Sequence, residues 1–229
     1  MYGKILTLLG LVSVLTTVGF SSPIRENTAA MSIDYSHMCS LLPDGAVQVE
    51  WLESTGSQII YTGIFIETND VFSVSHEVCF NPEYVGVKRQ LQGYSGTRRG
   101  YWGVAANGCY EMGSYRSSIE AGEWNSIVFE KDETDYFRLW VDDVQVLRNK
   151  DTYFLDKGEY KIFKLANYQE CYMKQGIVAM SLNGELVRYF IPIRLLESGQ
   201  WVGCYYDIIS ESVFFNSGSG DFIIGPDKE

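Results

Sequence analysis

The sequence predicts an all-β protein built as an antiparallel sandwich of two sheets. Apolar side chains recur at every second position in several segments, and short turn motifs separate these segments. From Gly45 onward, no segment shows a sustained helical stripe of apolar residues. Short strands with turn signals at regular spacing are typical of an antiparallel sandwich or barrel.

Period-two alternation identifies the strands. In YFRLWV, Phe137 and Leu139 point one way, while Tyr136 and Arg138 point the other way. This is the pattern of a half-buried strand. The same alternation occurs in VFSVSHEVCF, WNSIVFEKD, KIFKLA and RYFIPI.

Turn chemistry separates the strands. Asn183-Gly184 lies between IVAMSL and ELVRYF, and Asn-Gly readily takes the positive φ angles of a type I′ hairpin turn. Asp142-Asp143 and Asn107-Gly108 occupy equivalent places in two further predicted hairpins. Pro192 is expected to end a strand, because proline cannot donate to a ladder.

Residues 1–22 have the layout of a secretory signal peptide. Lys4 is a minimal positive region, residues 5–18 are apolar and uncharged, and Gly19 and Ser21 are small residues suited to a cleavage site. The apolar stretch is short for a membrane-spanning helix, which needs ~20 residues. We therefore expect a secreted, extracellular or cell-surface protein with no membrane span after signal removal. An uncleaved N-terminal helix or anchor is the alternative.

The rest of the chain is divided into an arm and one domain. Residues 23–46 are mixed and aperiodic, and they are interpreted as a linker or short arm. Residues 47–229 form the predicted sandwich domain, a size that is usual for one β-sandwich.

Composition excludes some partners. The chain of 229 residues has a net charge of -11 and is 46% hydrophobic, so it can bury a sizeable core. No nucleic-acid partner is expected, because binding a phosphate backbone relies on Lys and Arg. Anionic membranes and polyanionic sugars are disfavoured for the same reason.

The five cysteines do not suggest a metal or redox motif, because none forms a CxxC pair. Cys79, Cys109 and Cys204 lie in strand-like segments, which favours buried free thiols. Cys39 lies outside the predicted domain. Export would allow disulfides, but the sequence does not assign any pairing.

Three blocks carry a family resemblance. They are VEWLESTGSQIIYTGI (Val49 to Ile64), EWNSIVFEKD with YFRLWVDDVQVL, and ELVRYFIPIR with VGCYYDIISESVFFNSGSGDFIIGPDK. Together they resemble a laminin-G-like jelly-roll domain of the concanavalin A-like lectin and glucanase superfamily, over residues 47–228. The resemblance implies a jelly-roll sandwich whose last strand, Phe222 to Ile224, pairs near its first. It also implies a module that binds rather than catalyses.

Enzyme chemistry is not predicted. Related glucanases carry two carboxyls on one strand face as E-x-D-x-E, and the sequence has no such run. The nearest segment, EKDETD with Glu130 and Asp132, is expected to be a solvated hairpin tip. His76 lies in an apolar strand and is interpreted as a structural residue. No G-x-S-x-G or H-E-x-x-H motif occurs.

The candidate carbohydrate site is the loop GYSGTRRGYWG, residues 93–103. Aromatic rings stack on the apolar faces of sugars, and arginine side chains bond their hydroxyls. The alternative is that the rings fill the core while the arginines offset nearby acids. The candidates are Tyr94, Arg98, Arg99, Tyr101 and Trp102.

Calcium is implied by the resemblance, since many such jelly rolls hold one ion. Asp142, Asp143 and Asp221 lie near turns and could supply oxygen ligands. No spacing typical of an EF-hand occurs, and ordinary surface carboxylates are the alternative.

Three functions follow in order of preference. The first is a secreted, non-catalytic, lectin-like module that binds a glycan or cell-surface polysaccharide. The second is a cell-surface or phage-associated structural module that contacts a protein partner, with the arm packing on that partner. The third is a glycoside hydrolase with an atypical site.

Overall fold

The computed structural model describes residues 42–84, 93–95, 101–105, 109–112, 115–118, 121–134, 136–150, 158–164 and 171–228. Within these ranges the chain forms seventeen strands and one short 3-10 turn, Pro82–Tyr84, and it has no α-helix. The predicted signal peptide lies outside the described residues and stays a prediction.

The strands are short, and their bounds follow the predicted segments. They are β1 Val47–Gln48, β2 Leu52–Thr55, β3 Ile60–Ile66, β4 Phe72–Phe80, β5 Gly93–Ser95, β6 Tyr101–Ala105, β7 Cys109–Met112, β8 Tyr115–Ser118, β9 Trp124–Lys131, β10 Tyr136–Val141, β11 Val144–Lys150, β12 Gly158–Ile162, β13 Tyr172–Leu182, β14 Glu185–Glu197, β15 Gln200–Asp207, β16 Ser212–Phe214 and β17 Ile223–Ile224.

Two antiparallel sheets hold these strands. The large sheet has the order β11-β10-β9-β4-β13-β14-β15-β16, with β1 paired to β14 and β2 paired to both β13 and β17. The small sheet has the order β3-β12-β5-β6-β7-β8. The all-β, two-sheet prediction is therefore confirmed.

The predicted hairpin turns are confirmed where they are described. Asn183 and Gly184 have φ angles of 53° and 85°, as a type I′ turn requires, and they join β13 to β14. Asp142 and Asp143 have φ angles of 46° and 67°, and they join β10 to β11. Strands β6 and β7 also pair as predicted, although Asn107-Gly108 lies outside the described residues.

The prediction that Pro192 ends a strand is wrong, because β14 runs through it. β14 pairs with β13 up to Phe190 and with β1 from Ile193 onward. The Pro192 carbonyl accepts from Val49 N at 3.0 Å. In an antiparallel strand the nitrogen and the carbonyl of one residue point to the same edge, so the proline nitrogen points to the edge of β14 where the β13 ladder has ended and the β1 ladder begins. A missing N–H at this position breaks no ladder bond.

The hydrophobic core lies between the sheets. The large sheet contributes Val74, Val178 and Phe190, and the small sheet contributes Ile60 and Ile162, all of them fully buried or nearly so. Every second residue of β4 and β10 faces this core, with His76 the one polar member of the series in β4, which confirms the predicted alternation. The alternate residues of these strands therefore lie on the outer face of the large sheet.

A second, smaller apolar cluster covers part of that outer face. Ile191 and Ile193 of β14 and Cys204 of β15 are buried in it. Leu42 and Ala46, at the described end of the predicted arm, pack against this cluster. The end of the arm next to the domain is therefore part of the packed structure.

The closing strand pairs with the opening one, as the resemblance implied. Ile223 and Ile224 of β17 lie opposite Glu53 and Leu52 of β2. The preceding turn lies very close to Ser57. A Cβ on Gly218 would lie only 1.9 Å from the Ser57 carbonyl oxygen. This close approach explains the need for glycine at position 218.

Candidate functional site

An open cleft of about 370 Å³ lies at one end of the large sheet. Strands β4 and β9 supply one wall, and the chain between β1 and β2, together with the segment after β17, supplies the other. The lining residues are Glu50, Glu77, Trp124, Asn125, Ser126 and Lys228.

The β4–β9 register positions one wall of the cleft. Glu77 pairs with Ser126, and Cys79 pairs with Trp124. These residues alternate with core residues such as Val78 and Ile127, so they share the outer face of the sheet. Consequently, the Trp124 side chain is 47% exposed although it belongs to a central strand.

A bulge in β13 brings Glu77 close to the opposite wall. The register of β13 against β4 shifts between Gln175 and Val178, and the Glu77 carboxylate accepts from Ile177 N at 3.3 Å. A Cβ on Gly176 would lie 2.6 Å from Glu77 Oε2 and 3.4 Å from the Glu50 carbonyl oxygen. The absence of a side chain at Gly176 therefore leaves room for Glu77 beside Glu50.

Backbone hydrogen bonds fix the second wall. Glu50 N donates to Pro226 O at 2.9 Å, and Lys228 N donates to Gln48 O at 3.0 Å. These bonds hold Glu50 and Lys228 on adjacent segments from opposite ends of the domain. The cleft thus combines an exposed indole, two exposed carboxylates, a hydroxyl and one ammonium.

Sequence reasoning missed this cleft, although Trp124 carried a signal. Trp124 is out of phase with Ile127 and Phe129 in WNSIVFEKD, which places the indole on the non-core face of β9. A large aromatic residue at a strand position that alternation assigns to the polar face indicates a candidate contact surface. The approach of Glu50 and Lys228 to it depends on long-range pairing and has no local signature.

The predicted carbohydrate loop is only partly described. Backbone register pairs Tyr94 with Trp102 and Tyr101 with Ser95, in the β5–β6 hairpin of the small sheet. Arg98 and Arg99 lie outside the described residues, and the binding role of this loop stays a prediction.

The predicted calcium ligands lie in two different turns. The Asp142 carboxylate accepts from Ser126 N at 2.8 Å, and Asp143 is its neighbour in the β10–β11 turn. Asp221 accepts a hydrogen bond from the Gln58 amide through its backbone carbonyl, at 2.9 Å. Over the described ranges, no group of three or more His, Cys, Asp or Glu residues is suitably placed to hold a metal ion. Calcium binding therefore stays a prediction.

The prediction that Glu130 lies in a solvated hairpin tip is wrong. Strand β9 extends to Lys131, and Glu130 is fully buried on the outer face of the large sheet. Its Oε1 accepts from Arg138 Nη1 at 3.2 Å and from Trp140 Nε1 at 3.3 Å. The Arg138 guanidinium, supplied by the next strand, is the physical reason that this carboxylate can be buried.

Asp132 does lie at the start of the hairpin turn. Its carboxylate pairs with Arg138 and accepts from Thr134 N and Thr134 Oγ1, at 2.8 and 2.6 Å, and from Tyr136 N at 3.1 Å. Partial burial raises the pKa of Asp132, but these hydrogen bonds and the Arg138 charge outweigh it, so the net shift is downward. Asp132 is thus an ionised turn cap.

Three buried oxygens near Glu130 lack hydrogen-bond partners. Ser73 lies opposite Glu130 in the β4–β9 ladder and opposite Ser181 in the β4–β13 ladder. Glu130 Oε2, Ser73 Oγ and Ser181 Oγ form no hydrogen bond. Asp207, another fully buried carboxylate, instead accepts from Tyr189 N and from the Ser210 hydroxyl, at 2.7 and 2.6 Å.

His76 is a structural residue, as its strand context indicated. The Gln175 amide donates to Nδ1 at 2.9 Å, and Nε2 lies 2.5 Å from the Tyr160 hydroxyl on the small sheet. Burial lowers the pKa of His76 to about 3, so the ring is neutral. His76 therefore joins the two sheets and is not an exposed general base.

The described cysteine side chains are free thiols. Cys79, Cys171 and Cys204 are all buried and unpaired with one another. Burial, with a smaller contribution from Glu197, raises the pKa of Cys204 to about 12, and burial raises that of Cys171 still further. These thiols are thus apolar packing groups at neutral pH.

Comparisons with known proteins add no family. Neither protein-family models nor curated proteins give a match to this chain. The described part of the chain also contains no helix long and apolar enough to cross a membrane.

Proposed function

We propose that the protein is a secreted, non-catalytic, lectin-like module with a jelly-roll sandwich, and that the cleft around Trp124 is its carbohydrate-binding site. Support comes from the two-sheet architecture and from the mixture of groups in the cleft. The family resemblance of the opening, central and closing blocks agrees with this proposal.

The cleft contains the groups that recognise a sugar. The half-exposed Trp124 indole offers an apolar face for the C–H side of a sugar ring. The Glu77 and Glu50 carboxylates accept hydrogen bonds, and the Ser126 hydroxyl both donates and accepts them. The β4–β9 ladder fixes the backbone that carries the indole, so little backbone freedom is lost on binding.

The exposed indole of Trp124 is the observation that carries the proposal. Isolated surface aromatics need no functional explanation, but Trp124 lies in a cleft beside several hydrogen-bonding groups. Trp201 of β15 is 45% exposed and does not line this cleft, which makes it a matched control.

A glycan array followed by titration calorimetry tests the proposal. We expect the unchanged protein and Trp201→Ala to bind the same glycans, and Trp124→Ala to lose about 1–3 kcal/mol of binding free energy, as loss of a stacking ring typically costs. The proposal fails if the array shows no ligand, or if Trp124→Ala binds as well as Trp201→Ala does.

The same array tests the two earlier site predictions. Binding that disappears with chelator and in Asp142→Asn would support calcium at the β10–β11 turn. Binding that disappears in the double variant Arg98→Ala/Arg99→Ala, but not in Trp124→Ala, would move the site to the loop of residues 93–103.

A protein-interaction module is the second candidate function. Leu196 and Trp201 are paired across the β14–β15 hairpin and are 52% and 45% exposed. Exposed apolar side chains at the end of a hairpin are typical of contact surfaces. Light scattering after size-exclusion chromatography would favour this function if the protein is oligomeric and the double variant Leu196→Ser/Trp201→Ser is monomeric.

A further inference from the structure

We propose that the Trp124 cleft selects glycans whose sugars carry free, protonated amino groups. This inference rests on the proposed carbohydrate-binding function and adds the class of ligand. Two observations support it: the charge of the cleft, and the exposure of the Trp124 ring to an external cation.

The cleft is negatively charged. Among the described residues that line it, there are two exposed carboxylates, Glu77 and Glu50, and one ammonium, that of Lys228. The Glu77 carboxylate is anchored at the bulge by Ile177 N, so it is held at the wall and does not extend freely into solvent. A fixed carboxylate forms a charge-assisted hydrogen bond with an ammonium group, which is stronger than a bond with a neutral hydroxyl.

The Trp124 ring is available to a cation. The Lys174 ammonium lies over the Trp51 ring at 4.5 Å from its centroid, and the Arg194 guanidinium lies over the Trp201 ring at 4.2 Å. Among the residues that the structure describes, no cation lies over Trp124. An indole that shares a cleft with two carboxylates, and over which none of the described cations lies, is a favourable site for an external cation.

Charge also makes the other polysaccharide classes weaker ligands. Uronic acid and sulfated polymers would meet Glu50 and Glu77 on a chain of net charge -11. N-acetylated sugars present a neutral amide where an amino sugar presents an ammonium, so they lose both the ion pair and the cation–π contact.

Calorimetry with three matched oligosaccharides tests the inference at about pH 5.5, where the amino groups of a glucosamine oligomer are protonated. The probes are β-1,4-linked pentamers of glucosamine, N-acetylglucosamine and glucose. We expect the glucosamine pentamer to bind about tenfold more tightly than the other two at low salt, with the preference reduced at high salt.

Two carboxylate variants assign the preference to the cleft. Glu77→Gln keeps an oxygen that accepts from Ile177 N but removes the charge, so the preference for the glucosamine pentamer over the glucose pentamer should fall well below tenfold, with Glu50 and the indole supplying what remains. Glu185→Gln removes the same charge at the exposed β13–β14 turn and should leave the tenfold preference intact. Thermal melting of both variants establishes that they fold.

The outcomes separate the inference from the function beneath it. Equal affinity for the three pentamers overturns the amine preference and leaves carbohydrate binding standing. A preference that is undiminished in Glu77→Gln also overturns it, and so does a pentalysine peptide that binds as tightly as the glucosamine pentamer. No binding of any pentamer or array glycan removes the proposed function as well.

Discussion

The two faces of the large sheet differ in how completely they are closed to solvent. On the face toward the small sheet, the core is closed and both ring nitrogens of His76 are hydrogen-bonded, although Gln175, which bonds one of them, buries its Oε1 without a partner. On the outer face, Ser73 and Ser181 bury hydroxyls without partners, and Trp124 is exposed in a cleft. We therefore expect the loss of a large apolar side chain to cost more stability on the closed inner face than on the partly open outer face.

Phe190→Ala should have the largest effect. Phe190 is fully buried in the inner face, and its ring makes edge contacts with Phe214 and Tyr205 at 5.0 and 6.0 Å. Removing a buried ring should lower the free energy of unfolding by about 3–5 kcal/mol in urea titration. Tyr189→Ala, at the half-buried neighbour on the other face, should cost less than half as much. Equal losses would remove the distinction between the faces.

The pH dependence of stability should report His76. The unfolded chain protonates this residue near its ordinary pKa of 6.5, whereas the folded protein resists protonation until about pH 3. The unfolded state therefore binds more protons in this window, and stability should fall with falling pH by up to about 1.4 kcal/mol per unit.

The variant His76→Gln isolates this contribution. Its stability should change less steeply between about pH 6.5 and 4.5 than that of the unchanged protein, because the carboxylates contribute equally to both. Urea titrations at each pH measure the free energy of unfolding of both proteins. If it falls equally steeply with pH in both, His76 does not cause the pH dependence.

Glu130→Gln tests the buried ion pair of the outer face. The change keeps an acceptor for Trp140 Nε1 but weakens the bond with Arg138. The ion pair between Arg138 and Asp132 remains. A loss of about 1–3 kcal/mol is expected from chemical denaturation, the range for hydrogen bonds to charged groups. Glu185→Gln should change stability by less than about 0.5 kcal/mol. A loss no larger than that of Glu185→Gln would mean that Glu130 is not effectively buried.

Ser73→Ala should have the smallest effect. The hydroxyl has no hydrogen bond to lose, so stability should stay within about 0.5 kcal/mol of the unchanged protein. Thr62→Val is the contrasting change, since the Thr62 hydroxyl donates to Tyr160 O at 2.7 Å. Its expected loss is about 1–2 kcal/mol. A cost above about 1 kcal/mol for Ser73→Ala would reveal a partner for that hydroxyl.

Local sequence patterns were sufficient to predict most of the strands and hairpin turns. The alternation in β4 and β10 and the Asn183-Gly184 turn follow from side-chain geometry within a few residues, and the structure confirms them. The pairing of β17 with β2 followed from the family resemblance, since no local pattern specifies a contact between Leu52 and Ile224.

Long-range pairing explains what the sequence did not reveal. Pro192 is tolerated because two ladders meet there, and Glu130 is buried because Arg138 lies opposite it. The cleft brings Glu50 and Lys228 beside β4 and β9 through the same kind of contact. None of these arrangements leaves a pattern within a short segment.

The pairing of β2 with β17 has a consequence for biosynthesis. The ribosome synthesises Leu52 long before Ile224. One edge of β2 therefore stays unpaired while the intervening chain is made. An open strand edge is a template for unwanted association, and here it persists for most of translation. Nascent-chain complexes halted before Phe222 should therefore require chaperone protection that the released polypeptide does not.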